Sequence, residues 1–103
     1  MTSIEIKDRY IKISGHSGYA PTGSDIVCAA ISTLSQATFN YLEATSNAVM
    51  CGERDGEYII ILHKVNKAGK AIIKAFSDMV DDLSSQYPEY IERRKWKWKY
   101  WIS

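Results

Sequence analysis

Hydrophobic and polar residues alternate over the first part of the chain, as they do in β-strands with one buried face. Two pairs of isoleucines are separated by the polar residues 7–9: Ile4 and Ile6, then Ile11 and Ile13. This pattern predicts a β-hairpin over residues 3–14. Residues 15–24 follow with three glycines and a proline, a composition that predicts an irregular loop.

The spacing of apolar residues becomes helical after this loop, and it predicts a first helix that ends near Thr45. Either Ser24 or Asp25 can cap its N-terminus, because both side chains accept hydrogen bonds from the first turn. The predicted core face of the helix consists of Ile26, Val27, Ala30, Ile31, Leu34, Ala37, Tyr41 and Leu42.

A second β-hairpin is predicted from residues 47–54 and 57–65, which are rich in residues that favour strands. They flank Asp55-Gly56, a dipeptide that suits a tight hairpin turn because glycine accepts a positive φ. Within this hairpin, the apolar run Tyr58–Leu62 is typical of a central strand that is buried on both sides. Cys51 is then expected in the strand core, and His63 at a strand end near solvent.

A second helix is predicted from Asn66, which can cap it, to the region before Pro88, which cannot continue it. Its predicted core stripe consists of Ile72, Phe76, Met79, Val80, Leu83 and Tyr87. Residues 89–102 alternate again and predict a last strand. One face of this strand carries Tyr90, Trp96, Trp98 and Tyr100, and the other carries Arg93, Lys95, Lys97 and Lys99.

The predicted order ββαββαβ indicates a two-layer α+β fold, with two helices on one face of a mainly antiparallel sheet. The chain has 103 residues, of which 46% are hydrophobic and 24% charged, and this balance is typical of one compact domain over residues 1–103. Within it, residues 92–103 form a basic, aromatic C-terminal extension.

Charge and composition narrow the classes of function. The net charge is +1, which argues against a protein built around nucleic acid. Residues 1–88 carry 8 basic and 10 acidic side chains, whereas residues 89–103 carry 5 and 2, so the basic character lies in the tail. No window approaches the roughly 18 apolar residues of a membrane helix, and the N-terminus does not resemble a secretion signal. We expect a cytoplasmic protein without a membrane partner, whose two cysteines are thiols.

One group of residues suggests nucleophilic catalysis. With Asp25 as the cap, Cys28 is the third residue of the first helix, where the helix dipole and unpaired N–H groups stabilise a thiolate. His16, on a loop long enough to fold back, is the candidate general base. The N–H groups of Cys28 and Ala29 are candidates to stabilise an oxyanion. The alternative is that Cys28 is a small buried packing residue, as unpaired cysteines commonly are.

The same residues carry a resemblance to a known family. Gly15-His16 and the segment GSDIVCAAIS, residues 23–32, resemble the GHA…GxDIVCAAVS signature of the ribosomal-processing cysteine proteases, with the same twelve-residue separation of His16 and Cys28. Members remove a short N-terminal extension from the twenty-seventh protein of the large ribosomal subunit. The resemblance implies that Cys28 is the nucleophile and His16 its base. It also implies a homodimer, and hydrophobic or aromatic residues before the cleaved bond.

The resemblance implies roles for other positions of the signature. Gly15 and Gly23 frame a loop that folds over the substrate. Asp25 either orients His16 as the third member of a triad or caps the helix, and its position alone explains the cap. Ser32 either hydrogen-bonds near the thiol or is a small residue at a tight packing contact, which we favour. Ser17 stands where alanine is usual in the family.

Three alternatives remain at this point. Ser17, the short first hairpin and a tail longer and more aromatic than is usual in the family leave the substrate open. A structural protein of a phage or other mobile element is therefore a second candidate substrate. The tail also permits a non-catalytic module that binds the ribosome or RNA by stacking bases on aromatic rings, although a plain sheet strand explains its alternation better. A zinc site that combines Cys51 and His63 with His16 and Cys28 is disfavoured, because structural zinc ligands usually come in closely spaced pairs. We therefore expect neither a metal nor another cofactor.

Overall fold

The computed structural model describes residues 2–7, 9–15, 25–54, 57–64 and 66–94. The predicted turn at Asp55-Gly56 lies outside the described residues, as does the tail from residue 95 onward.

Within these ranges the chain forms five strands and two helices in the predicted order ββαββαβ. The elements are β1 (Thr2–Ile6), β2 (Tyr10–Ser14), α1 (Ile26–Ser46), β3 (Val49–Arg54), β4 (Glu57–Ile61), α2 (Lys67–Gln86) and β5 (Ile91–Arg94). The α+β class is therefore confirmed. In the described part of the chain, neither helix has the length and apolar character that crossing a bilayer requires.

The strands form one sheet in the order β3-β4-β2-β1-β5. Each neighbouring pair is antiparallel except β1 and β5, which are parallel. In the first hairpin Ile4 lies opposite Ile13, and Ile6 lies opposite Ile11. These four side chains are buried in one core together with apolar residues of both helices. Both helices therefore cover the same face of the sheet, and we call the opposite face the open face.

The prediction that Tyr58–Leu62 is buried on both sides is wrong. Ile60 is fully buried beneath the helices, but Ile61 on the open face is 38% exposed. Because no helix of the described chain covers the open face, every second residue of β4 is only partly shielded. Cys51 lies opposite Ile59 on this face and is exposed, so its expected place in the core is also wrong. His63 is exposed just beyond β4, as predicted.

The buried face of α1 also differs from the predicted one. Tyr41 is 66% exposed, and Ile26 is exposed as well. The buried positions are Val27, Ile31, Ser35, Thr38, Leu42 and Ser46. Ser35 and Thr38 each donate a hydrogen bond to the carbonyl oxygen four residues earlier, at 2.6 and 2.7 Å. Since these bonds satisfy the hydroxyl protons within the helix, small polar residues can replace apolar ones against the sheet.

Helix α2 begins and ends as predicted. The side chain of Asn66 accepts a hydrogen bond from the Gly69 N–H at 2.7 Å, and the helix stops at Gln86, two residues before Pro88. Phe76 and Val80 are buried, but Met79 is 48% exposed and does not belong to the core stripe. Ile73, which the predicted stripe left out, is buried instead.

Arg93 lies on the helix side of β5 rather than on a solvent face with the lysines of the tail. It lies opposite Ile4 in the parallel pair, which directs its side chain towards α2. There its Nη2 donates to Ser77 Oγ at 2.9 Å, and its Nε lies 3.4 Å from Asp81 Oδ1. Burial lowers the pKa of Arg93, and the charge of Asp81 partly offsets this. The guanidinium thus ties the edge strand to α2.

The end of α1 packs closely against the start of α2, so a larger residue at this contact should destabilise the protein. A Cβ atom at Gly69 would lie 2.5 Å from Ser46 Oγ and 3.2 Å from Asn66 Oδ1. We expect Gly69→Ala to lower the free energy of unfolding by about 1–3 kcal/mol, because overpacking outweighs the better helix propensity of alanine. Chemical denaturation measures this change.

Gly52→Ala is the matched control, because a Cβ atom there meets nothing within 4 Å. We expect it to unfold at the same denaturant concentration as the wild type. Equal stability of Gly69→Ala and the wild type would contradict the close contact between the two helices.

Candidate active site

Asp25 fixes the start of α1 and with it the position of Cys28. Asp25 has an extended backbone, and its Oδ1 accepts a hydrogen bond from the Cys28 N–H at 2.9 Å. Its carbonyl oxygen accepts another from the Ala29 N–H at 3.1 Å. Cys28 is thus the third residue of the helix. Both N–H groups that the sequence suggested as oxyanion donors are engaged by Asp25, so the prediction that they are unpaired is wrong.

The Cys28 side chain is half-buried and lines a pocket of about 130 Å³. Three strands and the first two turns of α1 contribute to the walls of this pocket, which we call the Cys28 pocket. The lining residues are Thr2, Ile13, Gly15, Cys28, Ile31, Ser32 and Tyr58. Ile13, Ile31 and the ring of Tyr58 make much of the wall apolar. A thiol at the wall of such a pocket can contact a bound peptide without leaving the helix.

Gly15 lines the Cys28 pocket and directly precedes His16 in the sequence. It follows the last residue of β2 and has a φ of 83°, a conformation that residues with a side chain rarely adopt. His16 and Gly23 lie outside the described residues. The pairing of His16 with Cys28 therefore stays a prediction, as does the role of Gly23 in the loop.

Tyr58 forms a wall of the pocket that sequence reasoning did not identify. It lies opposite Ile13 in the sheet, so both side chains face the first turns of α1. Burial raises the pKa of Tyr58, and a hydrogen bond with the Ser35 side chain partly offsets this rise. The phenol therefore stays neutral at physiological pH and fixed against the helix. The helical spacing of Cys28, Ile31 and Ser35 indicates that they share one face of α1. Only the sheet register shows that Tyr58 of β4 packs against that face.

Ser32 and Cys51 occupy different places from those expected. Ser32 is exposed at the rim of the Cys28 pocket, so it is not a tight packing contact. Cys51 lies on the open face, whereas Cys28 belongs to the helix layer on the other side of the sheet. Both are thiols rather than halves of a disulfide. Within the described ranges, no group of three or more histidine, cysteine or acidic residues could hold a metal ion.

Solved structures with the same fold include a ribosomal processing protease. The essential ribosomal processing protease Prp from S. aureus, in complex with a covalently linked product peptide, is 19% identical with a TM-score of 0.79, and the match covers 90% of this chain and 95% of that one. The same enzyme with a substrate peptide is 18% identical with a TM-score of 0.74, over 90% and 95%. SMU.848 from Streptococcus mutans is 27% identical with a TM-score of 0.68, over 90% of each chain.

The family is established by sequence. No curated protein matches the chain significantly. In contrast, the sequence model of the cysteine protease Prp family matches residues 1–92, which include Gly15, His16, Asp25 and Cys28. The chain therefore belongs to the cysteine protease Prp family and is a cysteine protease.

Proposed function

We propose that Cys28 is the nucleophile and His16 the general base of an endopeptidase that removes the N-terminal extension of a large-subunit ribosomal protein. The observation that carries this proposal is that Cys28 and Gly15 line the same pocket. His16 directly follows Gly15 in the sequence, so the candidate base is joined by one peptide bond to a residue that lines the pocket.

In the proposed reaction, His16 takes the proton of the Cys28 thiol as Sγ attacks the carbonyl carbon of the peptide bond. The tetrahedral intermediate then collapses, the C–N bond breaks, and the imidazolium gives its proton to the leaving amine. The acyl part of the substrate stays on Cys28 as a thioester. Water hydrolyses this thioester with His16 as base, and the second product leaves with a free carboxylate.

Two electrostatic effects act on the thiolate at this position. The start of α1 carries the positive end of the helix dipole, which favours a negative charge on Cys28. The Asp25 carboxylate lies in the same turn and opposes it, because like charges repel. A nearby imidazolium would be attracted by both anions. The hydrogen bond from the Cys28 N–H supports a role of Asp25 as the helix cap.

The Asp25 cap limits which N–H groups of α1 can donate to an oxyanion. The Cys28 N–H already donates to the Asp25 carboxylate, so it becomes a donor to substrate only if that bond opens. The N–H groups of Ile26 and Val27 have no acceptor within the helix, because they belong to its first two residues. They are the donors of α1 that need no rearrangement of the cap.

The proposed substrate follows from the comparisons and the pocket. The S. aureus enzyme of the same fold is a ribosomal processing protease, and its two structures hold a product peptide and a substrate peptide. The apolar wall formed by Ile13, Ile31 and Tyr58 suits a hydrophobic residue of such a peptide. A phage structural protein is the second substrate class, and a homodimer is the expected assembly. The RNA-binding alternative depends on the tail, which lies outside the described residues.

Labelling of the two cysteines tests the nucleophile. We expect a peptide-derived electrophile to modify Cys28, and we expect Cys28→Ala to abolish both labelling and cleavage while the protein stays folded. The reason is that an alanine there removes the attacking sulfur and favours the helical backbone. Mass spectrometry locates the label, and circular dichroism checks the fold.

Cys51→Ala is the matched control, because Cys51 is exposed on the open face, away from the pocket. It should keep wild-type labelling and cleavage. Modification of Cys51 in preference to Cys28, or cleavage by the Cys28→Ala protein, would contradict the assignment.

Two substitutions of Asp25 separate capping from orientation of His16. Asp25→Ala removes the acceptor for the Cys28 N–H and should lower the free energy of unfolding by about 1 kcal/mol. Asp25→Asn keeps an oxygen at the cap, so we expect both stability and kcat/KM close to wild type. Denaturation and cleavage of a peptide substrate measure the two quantities. A stable Asp25→Asn protein with strongly reduced kcat would assign Asp25 to a triad instead.

A further inference from the structure

One polar group of the Cys28 pocket has no hydrogen-bond partner. Thr2 is 2% exposed, and its hydroxyl oxygen is buried without a partner in the described chain. Buried hydroxyls almost always make a hydrogen bond, because burial removes the bonds that water would supply. An exception at the wall of a pocket that also holds the candidate nucleophile calls for a functional reason.

The surroundings of Thr2 explain why the protein itself does not satisfy this hydroxyl. Ile13 and Ile31 present only hydrocarbon to the pocket, and Gly15 has no side chain. Tyr58 already has Ser35 as its hydrogen-bonding neighbour, and Ser32 lies at the exposed rim. A molecule bound in the pocket can supply the missing partner.

The position of Thr2 is fixed by its backbone. Its N–H donates to the Tyr90 carbonyl oxygen at 2.9 Å, and the residue lies opposite Ile91 in the parallel pair of β1 and β5. Strand alternation then directs its side chain to the helix-covered face. Threonine is branched at Cβ and has few side-chain rotamers, so the hydroxyl is held in a defined place at small entropic cost. Such a group is suited to contact one atom of a ligand.

We propose that the Thr2 hydroxyl binds substrate by a hydrogen bond to a main-chain peptide group of the segment next to Cys28. The inference rests on the proposed function, because it takes the ligand of the pocket to be the peptide that Cys28 attacks. An extended peptide brings both C=O and N–H groups into a largely apolar pocket, where each needs a partner. A hydroxyl can donate to the first or accept from the second. Thr2 thereby increases the affinity for the peptide and fixes its register in the pocket, but it takes no part in the bond-breaking steps.

Binding to a protein that cannot cleave tests this contact. The probe is a peptide that spans the junction between the N-terminal extension and the body of the ribosomal protein, titrated into Cys28→Ala protein by calorimetry. Adding Thr2→Val to this background removes the hydroxyl and keeps the shape of the side chain. We expect the Kd to rise about tenfold, the effect of one lost hydrogen bond. Thr2→Ser keeps the hydroxyl and should bind nearly as well as the parent.

Stability separates this contact from a structural role. Because the hydroxyl has no partner in the described chain, Thr2→Val should melt at the same temperature as the parent or higher. A lower melting temperature would reveal an internal partner and overturn the inference, as would an unchanged Kd. The penalty should also be equal for peptides that differ in the side chain before the cut. A penalty confined to one side chain would show that Thr2 does not bind the main chain.

The two proposals fail in different ways. If the wild type neither cleaves the peptide nor reacts at Cys28, while Thr2→Val still weakens peptide binding, the proposed catalysis is wrong and the Thr2 contact is right. If Cys28→Ala abolishes cleavage while Thr2→Val changes neither Kd nor KM, the catalysis is right and the Thr2 contact is wrong.

Discussion

The candidate site depends on the contact between the first turns of α1 and the sheet. The hydrogen bond from the Cys28 N–H to Asp25 sets where the helix begins, and the burial of Val27 and Ile31 sets which face meets the strands. With the start and the rotation of the helix both fixed, Cys28 can lie only beside Thr2, Gly15 and Tyr58. The Cys28 pocket thus results from the way this helix is capped and packed against the sheet.

The same cap limits the chemistry at the helix start. Helix N-termini stabilise anions through their dipole and their unpaired N–H groups, and proteins use both. Here the Cys28 N–H donates to the Asp25 carboxylate, which also brings a negative charge of its own. Part of the ability of this helix end to bind an anion is therefore used to cap the helix. The proposed catalysis at Cys28 would therefore draw on the helix dipole and on the proposed base His16 more than on the N–H group of Cys28 itself.

The buried polar groups of this small domain differ in whether the protein itself supplies their hydrogen-bond partners. Ser35 and Thr38 are buried in α1, and each bonds to the helix backbone, so their hydroxyls serve the fold. Arg93 is likewise largely buried and is held by Ser77 and Asp81. Thr2 Oγ1 and Arg93 Nε are both buried without a hydrogen-bond partner in the described chain. Arg93 Nε still has the Asp81 carboxylate at 3.4 Å, whereas the Thr2 hydroxyl lines the Cys28 pocket. A polar group left unsatisfied costs stability, and such a cost is expected where a ligand is to be bound.

Local patterns in the sequence determined the order of the elements, the Asn66 cap of α2 and the place of Cys28 in the first turn of α1, because caps and periodicity involve residues close together in the chain. For α1 the sequence permitted either Ser24 or Asp25 as the cap, and the structure shows Asp25. Burial was predicted less well. Ile61, Met79 and Cys51 are apolar, yet they face solvent, whereas Ser35 and Thr38 are polar and buried. Which side of a strand is covered depends on where helices distant in sequence pack. Both described helices pack on one face of the sheet, so residues on the open face stay exposed. Only the tertiary structure brought Thr2 and Tyr58 to Cys28, since sheet register joins residues that no local pattern relates.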